Sequence, residues 1–329
     1  MLRKRRIGFA LGLPVAAALV APALVAAPTV ATAAFPEKPI KLVVPFRAGG
    51  GSDALARQLQ AVIKKHNLLP QPLVIVNVTG AGGTIGSKSV LNAKPDGYTI
   101  LQIHQEMLAV SAAGRVTYKP SDFTPVIQTT RACLYLAVPA SQPFKTFKEL
   151  ADYGKKNPGK LKQADIIGGV GHFPAVMLMN ATGARFGIVQ SGGTSKRFAM
   201  MKGGFAQLAF MSPGWIKRGG DQLRGLLWLG PTRHPAAPNM PTAKELGLDV
   251  SACLKRRFWA PKGTPADRVK VIADAFEKAM KTPEMIAYHK KRLSDVSIVR
   301  GEQLRKEIAD EYASYVKVAP DVKKSMMKK

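Results

Sequence analysis

A short apolar run, a glycine-rich turn and a helical pattern succeed one another four times in this chain, and no other feature limits its possible folds so closely. The first copy runs from Ile40-Lys41-Leu42-Val43-Val44-Pro45 through Phe46-Arg47-Ala48-Gly49-Gly50-Gly51-Ser52-Asp53 into apolar positions of helical period ending at Ile63. The second is Leu73-Val74-Ile75-Val76-Asn77, the turn Gly80-Ala81-Gly82-Gly83-Thr84-Ile85-Gly86 and a short helix to Ala93. The third is Gln163 to Ile167, then Gly168-Gly169-Val170-Gly171-His172-Phe173-Pro174 and a helix through Asn180; the fourth is Phe186 to Gln190, then Ser191-Gly192-Gly193-Thr194-Ser195. Alternating strands and helices predict α/β architecture with mostly parallel sheets, in which ligands sit outside the carboxyl ends of the strands. A glycine turn that opens a helix bares its N–H groups at the positive end of the helix dipole, so it suits an anion. One such turn can equally be a plain connection; a second copy at a neighbouring strand end lets two face one pocket. Neither the dinucleotide fingerprint nor a Walker A sequence is present, because the glycine spacing fits neither.

Between the copies, Pro95-Asp96-Gly97 turns into a third strand, Tyr98 to Ile103, which ends in the polar residues His104-Gln105-Glu106, able to line the same cleft. Two longer extended runs, Val126 to Val138 with Cys133 and Val250 to Trp259 with Cys253, read as crossovers between domains. Residues 34–132 then form the first part of domain 1, 133–252 domain 2, and 253–320 a helical return to domain 1 with helices from Thr264-Pro265, Pro283 and Gly301. The basic tail, residues 321–329, is expected to be disordered.

Residues 1–33 read as a signal peptide: a basic start through Arg6, an uncharged run from Ile7 and an Ala31-Thr32-Ala33 cleavage pattern. Pro14, Pro22 and Pro28 interrupt the run, which argues against a membrane span. Arg5-Arg6 fits a twin-arginine signal poorly, so the general secretory route is expected. Cleavage leaves a chain of about 300 residues, suited to two domains of ordinary size. The formal charge of +28 suits anionic partners, and export demotes nucleic acid among them. Cys133 and Cys253 can pair in an oxidising compartment, although the sequence by itself favours two separate buried thiols. The five histidines are scattered, no metal-ligand spacing or nucleophile elbow occurs, and no cofactor is implied. A monomeric binding protein that closes two domains on a small anion is the simplest reading, with catalysis the weaker one.

Several segments, taken together and in order, resemble the tripartite tricarboxylate transporter substrate-binding (Bug) proteins: Phe35-Pro36-Glu37-Lys38-Pro39-Ile40, the Pro45-Phe46 and Gly-Gly-Gly-x-Asp loop with Arg57, Asn77 with Gly80 to Gly86, Pro95 to Thr99, and Pro241-Thr242 with Glu245. The resemblance implies a two-domain periplasmic binding protein, type II-like, with two crossover strands. It implies a small carboxylate ligand, delivered to membrane transporter subunits or, alternatively, sensed for a membrane kinase. One ligand carboxylate would be held mainly by backbone amides at Phe46, Ala48, Gly49, Gly50, Ser52 and Asp53 and at Gly80, Ala81, Gly82 and Gly83. Asp53 is expected to orient its loop, paired with Arg57, because a carboxylate aimed at an anion would repel it. His104, Gly171, His172, Ser191, Gly192 and Gln207 complete the expected site. The chain departs from the family pattern at Ile188 to Gly192, at Gln207 where an Asp is usual, at Phe173-Pro174 and at Arg47, which leaves the far half of the ligand open.

Overall fold

The computed structural model describes residues 35–327 together with Leu2 and Gly8, so the expected signal peptide lies almost entirely outside the described residues. The chain from Phe35 onward builds three sheets, of six, three and two strands, in two lobes. The first lobe opens with β1 (Ile40–Val44), α1 (Gly51–Lys65), β2 (Leu73–Asn77), α2 (Thr84–Leu91), β3 (Thr99–Ile103) and α3 (Glu106–Ala112). β1 pairs in parallel with β2 on one side and β3 on the other, with Val44 opposite Asn77 and Val43 opposite Leu101. Three neighbouring strands therefore end on the same edge, and the loops after them converge there. Alternate β1 side chains fill two cores: Leu42 and Val44 pack with Leu55 and Leu59 of α1, whereas Val43 packs with Met107 and Leu108 of α3.

The chain then leaves through β4 (Phe123–Cys133) to β5 (Tyr135–Pro139), α4 (Phe147–Lys156), β6 (Leu161–Asp165), α5 (His172–Thr182), β7 (Phe186–Gln190), α6 (Thr194–Lys202), β8 (Ala209–Met211), α7 (Trp215–Gly219) and β9 (Leu223–Trp228). It returns through β10 (Cys253–Pro261) to α8 (Ala266–Met280), α9 (Pro283–Arg292), β11 (Asp295–Val299) and α10 (Gly301–Met327). The strand order of the first sheet is β11-β4-β10-β3-β1-β2. It is mixed: an outgoing and a returning crossover run in opposite directions, so β4 and β10 form an antiparallel pair in its middle. In the second lobe, β6 and β7 pair in parallel, β8-β5-β9 is antiparallel, and a bridge from Gln163 to Leu208 connects the two.

Three expectations are corrected. Cys133 and Cys253 are not separate thiols but a disulfide, because the β4–β10 register sets them directly opposite each other, where antiparallel side chains come within bonding reach. The return segment is not wholly helical, since β11 adds to the sheet beside β4 through Asp295–Arg131 and Val296–Thr130 pairing. The tail is helical as far as Met327. α10 continues through Pro320 because Ala319 and Val322 are buried in the core of the second lobe, while Leu304 and Ile308 near its start are buried in the first. Among the described residues no helix is long and apolar enough to cross a membrane.

Candidate functional site

The first glycine loop owes its shape to Asp53. Its buried carboxylate accepts from Gly49 N at 2.9 Å, from Arg57 Nε at 3.0 and 3.1 Å and from Asn77 Nδ2 at 3.0 Å. Burial raises the pKa of this carboxyl, but the bonds from Arg57, Gly49 and Asn77 outweigh it and hold the group below the ordinary aspartate range. The same Asn77 amide reaches Phe46 O at 3.0 Å, tying the loop to the end of β2. Gly49 takes a φ of 76°, and Gly50 enters α1 without a side-chain cap, so the N–H groups of the first turn have no capping side chain. Below them, Gln102 on β3 donates to Ser52 O at 3.1 Å. Asp53 thus faces its own loop, as its expected orienting role requires.

The second loop is held in the left-handed region at four successive residues: Gly80, Ala81, Gly82 and Gly83 have φ of 130°, 43°, 71° and 95°. Ala81 is the strained member, since left-handed backbone is unfavourable for a residue with a Cβ. His104, at the end of β3, packs against the first loop. Its ring stacks on Phe46, with centroids 5.3 Å apart and planes inclined by 10°. Its Nδ1 accepts from Glu106 N at 3.2 Å, which leaves the proton on Nε2. Burial, then the charges of Arg256 and Arg197, push its pKa down to about 3, so it is a neutral donor at any physiological pH.

Arg256 was not a sequence-based expectation, yet it reaches the first loop from β10, beside Arg47 within the loop and Arg57 that braces it. A Cβ on Gly51 would stand 3.1 Å from the Arg256 Nη2. The signal was the triplet Lys255-Arg256-Arg257 inside a strand. Period-two alternation sends Lys255 and Arg257 to one face, where both pair with Glu311 of α10. Arg256 takes the other face and has no ion-pair partner among the described residues, and its Nε is buried without a hydrogen bond. Burial, reinforced by nearby Arg292, lowers its pKa from the ordinary arginine value.

In the second lobe, Asp165 at the end of β6 organises the third and fourth loops. Its carboxylate accepts from Arg197 Nη2 and Ile166 N, both at 2.7 Å, and its backbone oxygen accepts from Ser191 N at 2.7 Å. Arg197 also donates to Gly192 O at 3.1 Å, so Ser191 and Gly192 are fixed around this ion pair. Gly171 is required beside it: a Cβ there would fall 1.9 Å from Asp165 Oδ2. His172 uses both ring nitrogens structurally, Nδ1 accepting from Gly168 N at 2.9 Å and Nε2 bonding Ser325 Oγ at 2.8 Å. Gln207 is not brought to these loops. It bonds Lys162 N near the start of β6, about 10 Å along the strand from Asp165 at the rise of a β-strand. Loop three meets the first lobe at Glu106, whose Oε2 accepts from Val170 N at 3.0 Å, and at Arg115, which donates to Ile167 O.

A family model described as tripartite tricarboxylate transporter family receptor matches residues 55–322. A protein of Cupriavidus necator, the UPF0065 protein in the gbd 5' region, is 33% identical over 279 residues, 82% of this chain and 83% of that one. A solved structure described as a periplasmic transporter superposes with a TM-score of 0.80 at 32% identity, covering 87% of this chain and 98% of the other. MatC from Rhodopseudomonas palustris, with bound malate, gives a TM-score of 0.79 at 26% identity over 87% of this chain and all, 100%, of that one.

Proposed function

Because the chain belongs to the tripartite tricarboxylate transporter receptor family, we propose that it is a periplasmic receptor that captures a small carboxylate and hands it to a transporter of that type. The observation that carries the carboxylate is Arg256: a half-buried guanidinium with a buried, unbonded Nε and no ion-pair partner among the described residues, set beside an uncapped helix entrance, suits an anion. The ligand carboxylate takes the Arg256 guanidinium, the first-turn amides of α1 and the amides of the second loop. Asp53 stays out of contact and keeps the first loop in shape. The malate seen in MatC is a ligand of the same chemistry.

The two lobes, residues 34–132 with 253–320 and residues 133–252, close on the ligand about the β4–β10 pair. Capture rather than turnover is the role, since Asp53, Asp165 and His172 all spend their polar atoms on the protein itself. The strong positive charge draws anions toward the cleft. The test is a thermal-shift and calorimetric screen of mono-, di- and aromatic carboxylates against protein purified from the periplasmic fraction. At least one should raise the melting temperature and bind with one-to-one stoichiometry. A panel in which none does overturns the reading.

A further inference from the structure

Glu106 begins α3 within reach of both lobes, and half of its carboxyl group is unused. The side chain is fully buried, Oε2 accepts from Val170 N, and Oε1 has no hydrogen-bond partner. A Cβ on Gly82 of the second loop would stand 3.6 Å from Oε1, and one on Gly169 of the third loop only 2.4 Å. The free oxygen therefore sits where the second and third loops approach each other, beside Ile166, at two positions where only glycine leaves room for it. A buried acceptor left unsatisfied is costly, so its retention beside a binding cleft calls for a donor that arrives with the ligand.

Arg256 stands at Gly51 of the first loop, Phe46 of that loop stacks on the neutral His104 ring, and the same ring accepts from the Glu106 N–H. We infer that Glu106 selects among carboxylates: the ligand bears a hydrogen-bond donor, an ammonium or carboxamide group, that reaches Glu106 Oε1 while its carboxylate lies at Arg256. The inference rests on the carboxylate reading above and narrows it. A plain dicarboxylate can meet Glu106 only if the glutamate holds a proton to donate, whereas an ammonium forms a charge-assisted bond with the ionised group. Burial and the neighbouring Asp165 hold the Glu106 pKa up, against the Val170 bond, Arg197 and Arg115, at about 7. An ammonium at Oε1 favours the ionised form, so its binding near neutral pH releases a proton.

The test is calorimetric titration of the exported protein with matched pairs: succinate and succinamate, glutarate and 4-aminobutanoate, pimelate and 6-aminohexanoate. For at least one skeleton the donor-bearing member binds about tenfold tighter or more than its dicarboxylate, the difference a charge-assisted hydrogen bond supports. Glu106→Gln keeps an oxygen for Val170 but removes the charge, and it should erase the preference for the ammonium while dicarboxylates bind as well or better. The wild-type ratio alone suffices if that variant does not fold. Dicarboxylates that bind as tightly as their donor-bearing partners overturn the inference and leave the carboxylate reading standing. A preference unchanged by Glu106→Gln also overturns it and makes the residue a structural latch. If no member of the panel binds, the carboxylate reading falls and this inference falls with it.

Discussion

Arg256 reaches from β10 to the amino end of α1, so close to Gly51 that a methyl group on that glycine would lie 3.1 Å from the guanidinium. Replacing Arg256 by Gln removes the proposed charged partner of the ligand but also a half-buried charge without an ion-pair partner among the described residues. Carboxylate affinity should fall about ten- to a hundredfold, the range of a hydrogen bond to a charged group. The melting temperature of the ligand-free protein should not fall, because an unpaired, half-buried cation contributes no stability. Calorimetry and a thermal melt on the same sample check both halves; a lower melting temperature without ligand would make Arg256 a structural residue.

Asp53 gives a prediction with a defined pH window. Its folded pKa lies below the ordinary aspartate value of 3.8, so its stabilising effect is fully present above that value and is lost as pH falls through the folded pKa. Arg57 is half exposed, with 51% of its side-chain surface accessible, which discounts the ion pair itself; the bonds from Gly49 and Asn77 matter more. Asp53→Asn should cost about 1–3 kcal/mol at neutral pH by leaving the loop amides short of an acceptor. Urea unfolding at pH 7 and at pH 3 measures the gap between wild type and variant, which should narrow at the acid end. An equal gap at both pH values would refute the assignment.

The strand, glycine turn and helix units were legible because each is local: apolar period, glycine placement and helix start all lie within some twenty residues of one another. So were the first two loops and the orienting role of Asp53. What escaped was non-local. Which face of β10 Arg256 takes depends on how β10 pairs with β3 and β4, residues far away in the chain. Gln207 looked like a cleft residue by its place in the family pattern, yet its amide is spent on Lys162 at the opposite end of β6. Glu106 stood in view among polar residues at a strand end, but its significance comes from Gly169, in the other lobe. The tail read as disordered because the partner of Val322 is a core built from α3, α5 and β5.

The Cys133–Cys253 bond joins the two crossovers over a sequence separation of 120 residues. Closing so long a loop restricts the unfolded chain strongly. The double variant with both cysteines replaced by Ser should therefore lose about 2–5 kcal/mol in urea unfolding under non-reducing conditions. Adding a reductant to the wild type should move its midpoint toward that of the variant. Non-reducing peptide mass spectrometry supplies the direct check, and two free thiols in protein from the periplasm would refute the bond.

The carboxyl-terminal segment of α10 is the last structural element with a measurable consequence. It docks on the second lobe through Val322, which is fully buried, through Asp321 to Asn180 at 2.8 Å and through Ser325 to the ring of His172. Removing residues 321–329 should uncover that core and lower the melting temperature, with the loss of Val322 alone worth about 1.5–3 kcal/mol. The His172 contact adds a pH signature. Burial pushes its pKa from 6.5 down to about 4, so the neutral ring stabilises the fold above 6.5 and that contribution is lost as pH falls toward 4. His104 and His289 are depressed in the same direction, so wild-type stability alone does not isolate the effect. The difference between wild type and His172→Asn does: it should shrink steadily from pH 7 to pH 4.5. A constant difference across that range would mean that the ring acts by packing alone.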